Sequence, residues 1–134
     1  MDGTPVVELM KEFRFEAAHW LPGFAEGHKC RRLHGHSFRI EVWVEGPISP
    51  TTGVYLDYAD IKAAVSPTIA QLDHYCLNDL GEAWNEPLLR NPSAENLAVW
   101  LWRRIQPSLP GLVRIVVDET CTSRCVYRGR HTGA

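Results

Sequence analysis

Between Ser37 and Glu45 polar and apolar residues alternate: Phe38, Ile40, Val42 and Val44 fall on one side, Arg39, Glu41 and Glu45 on the other. Trp43 is the exception on the polar side. Successive strand side chains point to opposite faces, so this pattern commits the segment to a half-buried strand that needs a second layer over its apolar face. The strand is preceded by Leu33-His34-Gly35-His36. Two histidines one residue apart point the same way when the chain is extended.

The other segments are read against that strand. Residues 7–18 form an irregular strand with Val7, Leu9, Phe13 and Phe15 as its apolar positions, and residues 20–33, with Pro22, Gly23 and Gly27, form a loop. Residues 46–53 are a turn. After Asp57, a candidate N-cap, Ile61, Val65, Ile69 and Leu72 recur at helical spacing, and Pro67 is expected to kink or split that helix. Residues 78–91 read as a second loop. Pro92 or Ser93 opens a further helix with Glu95 in its first turn and Leu97, Leu101 and Ile105 as its stripe, and Pro107 ends it. A Val/Ile-rich strand over 112–119 and a short one over 125–128 complete the order β-β-α-α-β-β. This is an α+β arrangement, two helices on one face of an antiparallel sheet. Without repeats or a linker, residues 1–134 are expected to form a single domain.

Composition narrows the function. The net charge of −2 gives no general attraction for nucleic acid, and the basic run Lys29-Cys30-Arg31-Arg32 is too short to change that. Its place beside the histidines favours a small anionic substrate. No apolar run approaches the roughly 20 residues of a membrane span, and Met-Asp-Gly-Thr-Pro does not resemble a secretory leader, so no membrane partner and a cytoplasmic location are expected. The four cysteines are then expected as thiols. Cys121 and Cys125 lack a second pair, which disfavours a four-sulfur zinc site.

The chemistry centres on His19, His34 and His36. If a neighbouring strand brings His19 to the other two, three imidazoles leave one tetrahedral position open, as in catalytic zinc sites. Imidazoles also suit copper, nickel or iron. Cys30, in a basic loop four residues before His34, is either a small semi-buried residue or a catalytic thiol. Asp73-His74 is either a polar helix end or a proton-relay pair. Glu119 is either a solvated strand end or an acceptor for a planar N–H and NH2 edge, as on a 2-amino-4-oxo heterocycle. His28 and His131 are expected to be solvated. Trp84, Trp100 and Trp102 are expected in the core or at subunit contacts rather than as a stacking platform.

These residues resemble a known family. Phe15-Glu16-Ala17-Ala18-His19, Cys30-x-x-x-His34-Gly35-His36, Leu72-Asp73-His74, Asn91-Pro92-Ser93-Ala94-Glu95-Asn96 and Glu119-Thr120-Cys121-Thr122 are similar, in order, to motifs of the 6-pyruvoyl-tetrahydropterin synthase superfamily. The resemblance runs from about residue 8 to 129. The three-residue gap between Cys30 and His34, with Glu26-Gly27-His28-Lys29-Cys30 and the Cys121–Gly129 segment, looks like the branch that forms 6-carboxy-tetrahydropterin in queuosine biosynthesis. The pyruvoyl-forming branch and a non-catalytic pterin-binding zinc module are the alternatives.

The resemblance implies a tunnelling fold in which three sheets close into a barrel and two trimers stack, with active sites between subunits. It implies zinc on His19, His34 and His36, and conversion of 7,8-dihydroneopterin triphosphate. Cys30 would take up a side-chain proton, with Asp73 and His74 as relay. Glu119 would anchor the pterin and share in the relay, and Ser93 and Glu95 would lie nearby. Lys29 and Arg31 are candidates for the triphosphate by their charge and position.

Overall fold

In the computed structural model, which describes residues 3–133, the alternating segment lies inside a longer strand, β2 (His34–Pro47), paired antiparallel with β1 (Val6–His19). The register runs unbroken from Val6↔Pro47 to His19↔His34. The apolar face of β2 is fully buried at Phe38, Ile40, Val42 and Val44. Phe15, the register partner of Phe38, stacks on it with ring centroids 5.1 Å apart. Trp43 is reconciled with the polar face by its partners: its Nε1 donates to Glu41 at 2.8 Å, and the Arg114 guanidinium lies 3.9 Å above its ring.

Three further strands, β3 (Tyr75–Cys76), β4 (Leu112–Thr120) and β5 (Ser123–Tyr127), complete a sheet of order β3-β1-β2-β4-β5. All pairings are antiparallel except β1 with β3, which is parallel at Ala17↔Tyr75 and Ala18↔Cys76. The sheet is therefore mixed rather than wholly antiparallel. Because β3 is so short, the outer edge of β1 from Val6 to Phe15 has no strand neighbour among the described residues.

The helices are α1 (Tyr58–Leu72), α2 (Leu77–Ala83), α3 (Pro87–Arg90) and α4 (Ala94–Ile105). The order is thus β-β-α-β-α-α-α-β-β, the α+β class with more pieces than the sequence pattern announced. α1 packs on β1, and α4 on β4 and β5. Asp57 caps α1, its Oδ1 accepting from the Ala59 amide at 2.8 Å. Pro67 does not split α1. Buried Ile61 and Val65 before it and Thr68, Ile69 and Leu72 after it hold both halves to the core, which offsets the one hydrogen bond that proline removes.

The expected loop over 78–91 is instead mostly α2 and α3, pinned by buried Leu77, Leu80 and Leu89. Their close approach rests on Gly81, where a Cβ would stand 2.4 Å from both the Leu89 carbonyl carbon and the Arg90 nitrogen. Backbone cannot yield as a side-chain tip does, so Gly81→Ala is expected to cost about 1–3 kcal/mol. Urea unfolding checks this, and an unchanged midpoint would mean that α3 shifts freely. Among the described residues no helix is long and apolar enough to cross a membrane.

Candidate functional site

The β1–β2 register builds the histidine cluster. His19 and His34 are direct cross-strand partners, and His36 lies two residues further along β2. Ring centroids are 4.6 Å apart for His19–His34, 5.0 Å for His19–His36 and 4.9 Å for His34–His36. The potential ligand nitrogens all lie within 4.8 Å of one another. Phe38 forms the floor, its ring 5.5 Å from His19 and 5.4 Å from His36, so the cluster sits on the end of the hydrophobic core.

Hydrogen bonds orient two of the rings. His19 Nδ1 donates to the Pro92 carbonyl at 2.7 Å and His34 Nδ1 to the Arg32 carbonyl at 2.6 Å. A carbonyl only accepts, so each Nδ1 carries the proton and each Nε2 presents a lone pair, the tautomer of a metal-ligating imidazole. The Nε2 atoms of His19 and His36 are buried without a hydrogen-bond partner among the described residues. Burial lowers the His19 pKa to about 4, with the neighbouring His34 and His36 adding to the effect against the Pro92 hydrogen bond. His19 is therefore neutral near pH 7. Buried, converging, unpaired acceptors are costly unless something electrophilic fills the space between them. The triad fits a divalent metal such as zinc with an open coordination position.

Cys30 and Glu119 belong to the same place. A cleft of about 420 Å3 is lined by Lys29, Cys30, His34, His36 and Glu119. Glu119 Oε2 lies 3.9 Å from His36 Nε2. Cys30 is held by main-chain geometry: it sits in a short 3-10 turn over residues 29–31, and its carbonyl accepts from the Leu21 amide at 2.8 Å. His28, expected to be solvated, caps that turn by accepting from the Cys30 amide at 3.0 Å and stacks on Phe24. Arg31 donates through Nη1 to the Pro22 and Phe24 carbonyls, at 3.0 and 2.8 Å, and so fastens the loop that carries Cys30 rather than lining the cleft.

Glu119 also borders a second cleft of about 410 Å3, lined by Ala94, Glu95, Val117, Thr120, Ser123, Arg124 and Cys125. The Ser93 hydroxyl is engaged at the start of α4, accepting from the Asn96 amide at 3.0 Å. The Cys125 thiol pKa is pushed up by burial and then by the charges of Glu95 and Glu119, which places it near both carboxylates.

Asp73 and His74 form a pair, but elsewhere. They end α1, where His74 adopts a left-handed φ of 67° and its amide donates to the Glu16 carbonyl at 2.6 Å. Asp73 Oδ1 accepts from the Glu16 amide at 2.9 Å and lies 3.0 Å from His74 Nδ1. The amide bond first, and His74 second, hold the Asp73 carboxyl below its ordinary pKa. The His74 side chain is 76% exposed and lines a third cleft, of about 480 Å3, with Glu16, His36, Ser37, Tyr75 and Cys76, so that this cleft and the Cys30 cleft share His36. Within one chain, Cys30 and His74 therefore line different clefts.

Two partners escaped the sequence reading: the Pro92 and Arg32 carbonyls, main-chain atoms that leave no residue-type signal. Cys125 and Thr120, which line the second cleft, were given no site role from the sequence, standing only within the segments that carry the family resemblance. Trp100 is buried, Trp84 stacks on it, and Trp102 packs on Tyr127. His131, also expected to be solvated, meets the Tyr127 hydroxyl at 3.0 Å.

Known proteins are similar to this chain in sequence and fold. The family model described as 6-pyruvoyl tetrahydropterin synthase matches residues 8–130. A Synechocystis 6-carboxy-5,6,7,8-tetrahydropterin synthase is 44% identical over 126 residues, covering 89% of this chain and 91% of its own. A Bacillus subtilis protein of the same name is 30% identical over 132 residues, covering 94% and 88%. The solved Caenorhabditis elegans 6-pyruvoyl tetrahydropterin synthase superposes with a TM-score of 0.84 over 97% of this chain and 100% of that one, at 24% identity. The architecture is the tunnelling fold. The chain belongs to the 6-pyruvoyl tetrahydropterin synthase family, whose members named here are enzymes that act on pterins.

Proposed function

We propose that this protein converts 7,8-dihydroneopterin triphosphate and one water to 6-carboxy-5,6,7,8-tetrahydropterin, acetaldehyde and triphosphate, as a zinc-dependent carbon–carbon lyase in queuosine biosynthesis. The observation that carries this reading is the single cleft in which Cys30 and Glu119 meet the His34 and His36 rings of the histidine triad. The carboxy product is favoured over the pyruvoyl one by the three-residue gap from Cys30 to His34 and by the Synechocystis relative.

Each residue has a distinct task. Glu119 accepts two hydrogen bonds from the N–H and NH2 edge of the pterin and holds the ring in the cleft it shares with Glu95, beside Ser93. That leaves the substrate side chain over the histidines. Zinc on His19, His34 and His36 would supply Lewis acidity at the side-chain hydroxyls. Cys30, as thiolate, takes a proton from the side chain, and Lys29 at the cleft wall receives the triphosphate, with Arg31 behind it.

The relay needs a second copy. His74, with Asp73 beside it, lines another cleft of its own chain, while the outer edge of β1 and the opposite edge strand β5 are open to pairing. We assign the active unit to a homohexamer of two stacked trimers in the cytoplasm, in which Asp73 and His74 of a neighbouring copy reach Cys30.

Metal removal separates an enzyme from a zinc-stabilised binding module. The triad rests on a core already closed by Phe15 and Phe38, so chelation should abolish turnover while the far-ultraviolet circular dichroism stays unchanged. Added zinc should restore the rate. Unfolding on chelation would make the metal structural instead.

A further inference from the structure

Glu119 stands where the sheet gives least backbone support. The β2–β4 register ends at Arg39↔Asp118, one residue before it. On the other side β4 takes two steps, from Asp118 to Thr120, while β5 takes one, from Arg124 to Ser123. Glu119 is thus the unpaired residue of a β-bulge, a device that re-aims a side chain. The direction it faces depends on how its neighbour is held.

Asp118 is held by one hydrogen bond and one ion pair. It is 7% exposed. Its Oδ2 accepts from Arg39 Nη1 at 2.8 Å, and Arg124 Nε stands 3.4 Å from its Oδ1. Arg39 is itself fixed by Glu12 on β1 and by Glu41 at 2.7 Å, and Trp43 donates to Glu41 at 2.8 Å. The clamp therefore ties the bulge to all four long strands. Asp118 and Glu119 are consecutive and border one cleft together with Ser37, Arg39 and Arg124, so any swing of the Asp118 backbone turns the Glu119 carboxylate.

We propose that Asp118, clamped between Arg39 and Arg124, is a positioning residue that aims Glu119 at the heterocycle. The inference rests on the reading of Glu119 as the pterin anchor, and its test keeps the two apart. The zinc-loaded full-length protein is titrated with 7,8-dihydropterin, which has the ring without the triphosphate chain. Asp118→Asn should weaken binding about tenfold, the scale of one misaligned charge-assisted hydrogen bond. It should raise KM for the triphosphate substrate with kcat nearly unchanged, a split that general destabilisation would not give. Arg124→Gln, at a side chain 56% exposed and safe for folding, should act in the same direction. In a Glu119→Gln background, Asp118→Asn should have no further effect.

Unaltered dihydropterin affinity in both Asp118→Asn and Arg124→Gln overturns the proposal, as does a loss that adds in full to that of Glu119→Gln. A crystal structure of Asp118→Asn with Glu119 still beside His36 overturns it too, whereas a displaced carboxylate supports it. If Glu119→Gln itself binds dihydropterin normally, the anchor reading fails, and that result is independent of where Glu119 points in the Asp118→Asn crystal.

Discussion

His34→Ala should lose metal and turnover together, whereas Cys30→Ala should keep the metal and lose only turnover. His34 contributes one of three converging nitrogens, and its Nδ1 is already committed to the Arg32 carbonyl. Without it two imidazoles remain, a poor site for a stoichiometric ion. Even an outer-shell partner is worth 10–100-fold in metal affinity, so a direct ligand should cost more than about 100-fold. Cys30 lines the same cleft but lies outside the triad. Removing a general base costs about 10²–10⁴ in rate. Metal content by plasma mass spectrometry beside steady-state rates separates the two, and equal metal loss in both variants would make Cys30 a ligand.

Mixed oligomers should recover activity that neither parent has. Cys30→Ala and His74→Ala should each be nearly inactive alone. After denaturation and joint refolding, a site built from two chains can pair an intact Cys30 with an intact His74 of the neighbour. Random assembly of equal amounts makes that pairing in about a quarter of sites, so about a quarter of the parent rate should return. If one chain supplied both residues, no mixed site would hold both and nothing would return. The separate clefts of Cys30 and His74 make this the sharpest test of the oligomeric site.

What the sequence could reveal followed from how many residues carry each signal. The long strand β2 was legible because its alternation extends over a whole buried face, and α1 because Asp57 and four apolar positions agree. The helices α2 and α3 were not, since four to seven residues are too few to display a helical period. Pro87, at the start of α3, was the unused sign. β3 has two residues and no pattern at all; it exists because α1 delivers Tyr75 beside Ala17. Pro67 did not split α1 because the buried residues flanking it outweigh its local propensity.

At the site, residue type and spacing pointed to the histidines, and the register then brought His19 opposite His34. Spacing could not say that His74 opens on another cleft, since the 43 residues between Cys30 and His74 leave their relative position to the fold. Nor could it reveal the bulge at Glu119, which arises from a mismatch of step between two strands.

The most direct test of the central claim is mass spectrometry of the products after zinc-loaded protein meets 7,8-dihydroneopterin triphosphate. The account predicts 6-carboxy-5,6,7,8-tetrahydropterin with acetaldehyde and triphosphate in equal amounts. A 6-pyruvoyl product formed without acetaldehyde would contradict it and move the chain to the pyruvoyl-forming branch.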